Sequence, residues 1–163
     1  MRTFSKEELN KILENHKHWV AEDIDGWIEM KADLCGANLY RAKNIPYIPL
    51  NCPSDGSFIG WKSAIAETKL GNYKCVIKLQ IFEDSKRSSA TTNKCRCDKA
   101  KVLDIELLND MNEEIIQAHS GYDNSFIYKV GKIVSVDNFN EDRWNECAPG
   151  IHFFIDKQEA IDY

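Results

Sequence analysis

Long apolar runs are missing from this 163-residue chain. None approaches the roughly 18 residues that a membrane-crossing helix needs, and the opening Met1-Arg2-Thr3-Phe4-Ser5-Lys6-Glu7-Glu8 lacks the apolar stretch of a secretion signal. The expectation is a protein with no membrane partner that stays in the cytoplasm where it is made. A basic excess is missing as well: the net charge is −5, which argues against a general nucleic-acid binder. Proline and glycine are sparse, at 4 and 8, and 43% hydrophobic with 29% charged residues excludes a disordered polar tract. Cysteine is present without the spacing of a zinc site. Cys95 and Cys97 stand one residue apart, whereas zinc ligands normally stand two to four apart. Without a secretion signal the six cysteines, Cys35, Cys52, Cys75, Cys95, Cys97 and Cys147, read as reduced thiols. There is no phosphate-binding P-loop and no dinucleotide glycine fingerprint, so no cofactor is called for. No protease signature surrounds Cys147 and His152.

What is present suits one compact α+β domain, since this length buries about two-thirds of the surface an unfolded chain exposes. Ser5 followed by Glu8 is a capping box, and Phe4 with Leu9 has the spacing of a hydrophobic staple, so a helix begins here. Leu9, Ile12, Leu13 and His16 share one face, and Glu22-Asp23-Ile24-Asp25-Gly26 ends it. Ala32-Asp33-Leu34-Cys35-Gly36 and Ala37-Asn38-Leu39-Tyr40-Arg41 then resemble two pentapeptide repeats, with a degraded third unit beginning Ala42-Lys43-Asn44. Two units cannot stack into a stable solenoid, and they read as a remnant. Pro46, Pro49 and Pro53, with Ser54-Asp55-Gly56-Ser57, mark a loop. Residues 1–53 are therefore expected to pack as an N-terminal helix and repeat remnant on a body at 54–163.

In that body, five runs read as strands of a small, mainly antiparallel sheet: 75–82, 100–107, 126–130, 133–136 and 151–155. Leu103, Ile105 and Leu107 alternate inward in the second run. Gly131-Lys132 reads as a two-residue hairpin turn between the third and fourth, because glycine tolerates the positive φ such turns need. Asp156 with Glu159 starts a short final helix.

Two segments carry candidate chemistry. The first lies between the first two strand runs. Residues 86–101 hold Lys86, Arg87, Lys94, Arg96, Lys99 and Lys101 against Asp98 alone, +5 in a chain that is −10 elsewhere. With Ser88, Ser89 and Thr91, this loop offers hydroxyls, main-chain N–H groups and guanidinium forks, the donors a phosphate needs. The plain alternative is a solvated basic loop. The second segment compresses Arg143, Trp144, Asn145, Cys147 and His152 into ten residues. Trp144 can stack on a ring, Arg143 can hold an anion, and His152 can donate a hydrogen bond or move a proton. The alternative is a structural corner turning through Pro149-Gly150. Because the basic loop has no aromatic of its own, Arg143, Trp144 and His152 are expected to lie beside it and complete one pocket.

Three blocks carry a resemblance: Gly56-Ser57-Phe58-Ile59-Gly60-Trp61-Lys62, then Lys86-Arg87-Ser88-Ser89-Ala90 with residues 94–103, then residues 143–154. They resemble the uncharacterised domain that follows pentapeptide repeats in many bacterial and phage proteins. The resemblance covers about residues 54–163 and brings no established reaction. It implies a setting in bacteria or their viruses, with the host cytoplasm as location for a phage-encoded protein.

The expected function is non-catalytic binding of a phosphorylated small molecule of nucleotide or cyclic-nucleotide type, with Trp144 or Trp61 stacking on its ring, as a sponge for an immune signal. Two alternatives stay open: an enzyme on the same ligand class with His152 as acid/base, and a protein-interaction module using the basic loop. A homo-oligomer also stays open.

Overall fold

The structure is a computed structural model that describes residues 4–32, 39–40, 47–109 and 113–163. The chain divides into two compact units, Met1–Ile45 and Pro46–Tyr163. In the first, α1 (Lys6–Ala21) starts at the expected capping box. Glu8 N–H donates to Ser5 Oγ at 3.1 Å, and Ser5 N–H donates to Glu8 Oε2 at 2.8 Å. It stops where Glu22 turns left-handed at φ 52° and donates to His18 O at 2.8 Å. His18 pairs with Asp23 at 2.8 Å, and His16 stacks on Trp19 with ring centroids 5.2 Å apart. The repeat-like units lie outside the described residues apart from Ala32, Leu39 and Tyr40.

Among its described residues the second unit carries nine strands in two sheets, not the single five-stranded sheet expected, and one short helix. The strands are β1 (Phe58–Thr68), β2 (Gly71–Ile81), β3 (Arg87–Ser89), β4 (Cys95–Cys97), β5 (Lys99–Leu107), β6 (Ile115–His119), β7 (Ile127–Tyr128), β8 (Ile133–Ser135) and β9 (Ile151–Phe153). Six form one antiparallel sheet in the order β7-β6-β1-β2-β5-β8, and β3-β4-β9 form the other. The final helix, α2 (Lys157–Asp162), is capped by Asp156, which accepts from Gln158 N and Glu159 N.

The expected hairpin at Gly131 is a turn of another kind. Lys132 N–H donates to Lys129 O at 3.0 Å and Gly131 takes φ +82°, but β7 pairs with β6 while β8 pairs with β5, at opposite ends of the sheet. In a flat sheet those ends would stand about 24 Å apart, five spacings of about 4.8 Å. Five Cα steps from Tyr128 to Ile133 reach at most about 19 Å. The sheet is therefore curled towards a barrel, and Tyr128 and Val134 from its two ends share one core with Ala66, Ile77, Leu79 and Val102.

Alternation along β1 puts Gly60, Ala64, Ala66 and Thr68 inside. The facing positions of β2, Cys75, Ile77, Leu79 and Ile81, are fully buried. Gly60 is required by packing, since a Cβ there would stand 2.6 Å from the Phe153 ring. On β5 the inward set is Ala100, Val102 and Ile105, and Leu103 is only half-buried. The register jumps from Lys78↔Asp104 to Leu79↔Val102, leaving Leu103 as the extra residue of a β-bulge that shifts the alternation by one.

Candidate functional site

The basic segment is not an open loop. It is a hairpin, β3 against β4 with Ser88 opposite Arg96, and Ser88, Ser89, Thr91 and Arg96 are all buried. Burying a guanidinium demands partners for its donors. Arg87 gives all five to main-chain carbonyls: Nε to Ser85, Nη1 to Pro53 and Gly56, Nη2 to Phe82 and Glu83, at 2.7 to 3.2 Å. Arg96 binds the carbonyls of Asn140, Pro149 and Asp142 at 2.9, 3.2 and 3.0 Å, under the Phe139 ring. Arg143 binds those of Ser89, Ile48, Pro49 and Ala90. These arginines tie distant chain segments together, and their forks are spent on the protein's own backbone.

The remaining sequence candidates divide between structure and surface. Lys86 pairs with Glu141 on the exposed side. Ser89 Oγ accepts from Asn51 N–H at 2.8 Å, whereas the buried Ser88 Oγ has no hydrogen-bond partner among the described residues. The main-chain N–H groups of Thr91 and Thr92 and the Thr92 hydroxyl converge on Glu146 Oε1 at 3.2, 3.1 and 3.0 Å. The anion that this turn holds is a carboxylate of the same chain. Trp144 is half-buried with the Arg143 guanidinium 4.6 Å from its ring centre. Asn145 closes a turn, donating to Asp142 O and accepting from Ala148 N–H. The two candidate segments are thus brought together, but as an interlock.

An unpaired stretch of strand edge lies beside that interlock. Trp61 and Phe154 exchange both main-chain hydrogen bonds at 2.7 Å, the one bridge among the described residues between β1 and the chain leaving β9. One register step further would set Ser63 opposite His152. Among the described residues no bridge forms there: β9 pairs along its other edge with β4, and β6 joins β1 only from Ile65 onward. On an antiparallel strand the main-chain groups of every second residue point to the same side. Those of Ser63 therefore follow Trp61, those of His152 follow Phe154, and both face the gap. Among the described residues neither has a strand partner on that side.

Charged groups gather at this seam. Lys62 sits at an inward position of β1 between Gly60 and Ala64, facing buried Ile77, with Nζ 5.8 Å from the centre of the Tyr128 ring. Burial pushes its pKa down to about 8, against the opposing pull of Cys97 and Cys75, and Lys94 lowers it further. His152 is pushed down to about 4, first by burial, then by the charges of Lys62 and Lys94. Its Nε2 lies 3.1 Å from Glu146 O. A carbonyl only accepts, so Nε2 carries the hydrogen and Nδ1 is left as a bare acceptor on a neutral ring. Among the described residues neither Lys62 nor Lys94 has a carboxylate partner, whereas Lys86 and Lys99 do. Lys94 Nζ lies 5.8 Å from the centre of the Tyr163 ring, which packs on Phe154 at 5.2 Å.

Sequence reasoning singled out Lys94 and His152 but missed Lys62, Ser63 and Tyr163 as site residues. The available signal was a lysine at an inward position of a strand otherwise lined by Gly60, Ala64 and Ala66. Two of the buried thiols are poorly disposed to act as nucleophiles: burial raises Cys75 to about 12 and raises Cys97 also. All five described cysteines are free.

A family model described as a family of unknown function, DUF5758, matches residues 48–160. No curated protein and no solved structure matches the chain. No helix among the described residues is long and apolar enough to cross a membrane.

Proposed function

Because the chain belongs to DUF5758, a family of unknown function, membership brings no activity, and we propose from its own residues that the seam between β1 and β9 binds a phosphorylated small molecule without transforming it. The observation that carries this reading is the pair of ammonium groups without carboxylate partners, Lys62 and Lys94, beside the unpaired main-chain groups of Ser63 and His152. A phosphate bound there accepts from the Ser63 N–H and both ammonium groups, contacts that are strong where water is partly excluded. His152 Nδ1 accepts from a hydroxyl or N–H of the ligand, and the exposed Tyr163 ring offers a face to a base. Arg87, Arg96 and Arg143 hold the walls.

The setting we assign to this binding is the cytoplasm of a bacterium or of a phage-infected cell, a reading that the resemblance to a domain that follows pentapeptide repeats supports. Sequestering a nucleotide-type signal is the role we assign to it. The second reading, turnover of the same ligand, is favoured by the neutral His152 with its free Nδ1, a state suited to a general base.

The test is to incubate the protein with a panel of nucleotides and cyclic nucleotides, separate it, and recover the bound molecule after heat denaturation. Intact ligand, absent from a folded Lys62→Met variant, is expected. Altered ligand would replace the binder by the enzyme, and no ligand would remove both.

A further inference from the structure

Lys62 is placed as few lysines are. Its backbone lies mid-strand in the barrel wall, its side chain points inward with the fully buried Cys75 and Ile77, and the Tyr128 ring lies across it. Among the described residues no carboxylate pairs with it. Burial raises the pKa of the Cys75 and Cys97 thiols and of the Tyr128 phenol, which keeps them protonated, and Lys94 and His152 bring no negative charge. The face of the Tyr128 ring favours the ammonium ion, while burial opposes it and prevails, so that part of the lysine stands as the free amine.

We propose that the Lys62 amine is a covalent attachment point that condenses reversibly with the carbonyl carbon of an aldehyde or ketone borne by a phosphorylated ligand. The assignment rests on the reading of the seam as a phosphate site, and it names the ligand class as phosphorylated carbonyl compounds. The unprotonated Nζ adds its lone pair to the carbonyl carbon. The C=O π pair moves to oxygen, which takes a proton from the Lys94 ammonium, and Nζ returns a proton to Lys94. The carbinolamine then loses its hydroxyl as water, with a proton again supplied through Lys94, as the nitrogen lone pair closes the C=N bond and Nζ gives up its second hydrogen. The sum is amine plus carbonyl to imine plus water, with no change of oxidation state. A lysine kept partly unprotonated by an apolar surround is suited to this step, as an exposed lysine is not.

The experiment is reductive trapping. The folded protein is mixed near neutral pH with pyridoxal 5′-phosphate, which carries both an aldehyde and a phosphate, reduced with cyanoborohydride, and mapped by peptide mass spectrometry. The expected result is an adduct at Lys62 formed roughly tenfold or more faster than at exposed Lys86, suppressed by excess inorganic pyrophosphate. Lys62→Arg is expected to keep pyrophosphate binding while losing the adduct; where the arginine does not fit the barrel wall, Lys62→Met is expected to lose the adduct and to weaken pyrophosphate binding by about tenfold. Labelling spread over exposed lysines with Lys62 unmodified would overturn the attachment site. Labelling of Lys62 by pyridoxal and pyridoxal 5′-phosphate alike, with no competition by pyrophosphate, would keep the imine but overturn the phosphate-binding reading beneath it.

Discussion

Glu146 locks the turn at Thr92 from across the interlock: its Oε1 accepts from the Thr92 main-chain N–H at 3.1 Å and from the Thr92 hydroxyl at 3.0 Å. The Thr91 N–H adds a third bond to the same oxygen. Hydrogen bonds to an ionised acceptor are worth about 1.5–3 kcal/mol. Glu146→Gln is expected to lower unfolding free energy by about 2 kcal/mol, read by chemical denaturation. Amide exchange at Thr91 and Thr92 should quicken in the same variant. Unchanged exchange would mean that the carboxylate is not what orders this turn.

The buried Arg96 divides sharply from the exposed Lys86 of the same segment. Arg96→Met removes the donors for the carbonyls of Asn140, Asp142 and Pro149, and is expected to cost about 3 kcal/mol. Lys86→Ala breaks an exposed pair with Glu141 and should leave the melting temperature unchanged. Equal effects from the two variants would contradict the clamp assignment.

His152 gives the fold a specific acid sensitivity. It titrates at about 4 in the folded protein against 6.5 in the free side chain, so between these values the unfolded chain binds more protons. Its contribution is fully present above pH 6.5 and is lost as pH falls towards 4, by up to about 3 kcal/mol. Denaturation of the parent and of His152→Gln at pH 7 and pH 4.5 isolates it. The gap between the two proteins should shift in favour of the variant at the lower pH.

Lys62 shifts stability with pH in the same direction as His152, at higher pH. Its pKa of about 8 lies below the ordinary 10.5, so the folded state carries the cost of an ill-placed ammonium below about pH 8 and sheds it as pH rises towards 10.5. Lys62→Met is expected to gain roughly 1–3 kcal/mol at pH 7, seen as a higher melting temperature. A fall instead would mean that the ammonium holds the barrel wall together.

The helix starts and the most apolar strands were legible in the sequence because their causes are local. Ser5 meets Glu8 within one turn, and Asp156 caps its own helix. Strand β1 went unread because its inward face is made of Gly60, Lys62, Ala64 and Ala66, which show no apolar alternation. The β3–β4 hairpin looked like a solvated loop for a related reason: its buried side chains are polar and are satisfied by carbonyls far along the chain, such as Ile48 for Arg143, 95 residues away. Composition showed the cations but not their partners. The bulge at Leu103 is set by pairing with β2, which no single run of residues reveals. The Arg143 Nε bond to Ser89 O and the Arg96↔His152 pairing join the basic segment to the segment of Arg143 and His152, contacts that rest on pairing between chain segments about 55 residues apart.

The most direct test of the seam as the binding site is a backbone NMR titration of the folded protein with inorganic pyrophosphate. The account predicts that the largest amide shifts fall at Ser63, Lys94 and His152, and that Lys62→Met weakens the fitted affinity by about tenfold or more, the loss expected for one charge-assisted contact. Shifts confined to Lys86, Thr91 and Thr92, with Ser63 and His152 unmoved and affinity unaltered in Lys62→Met, would contradict it.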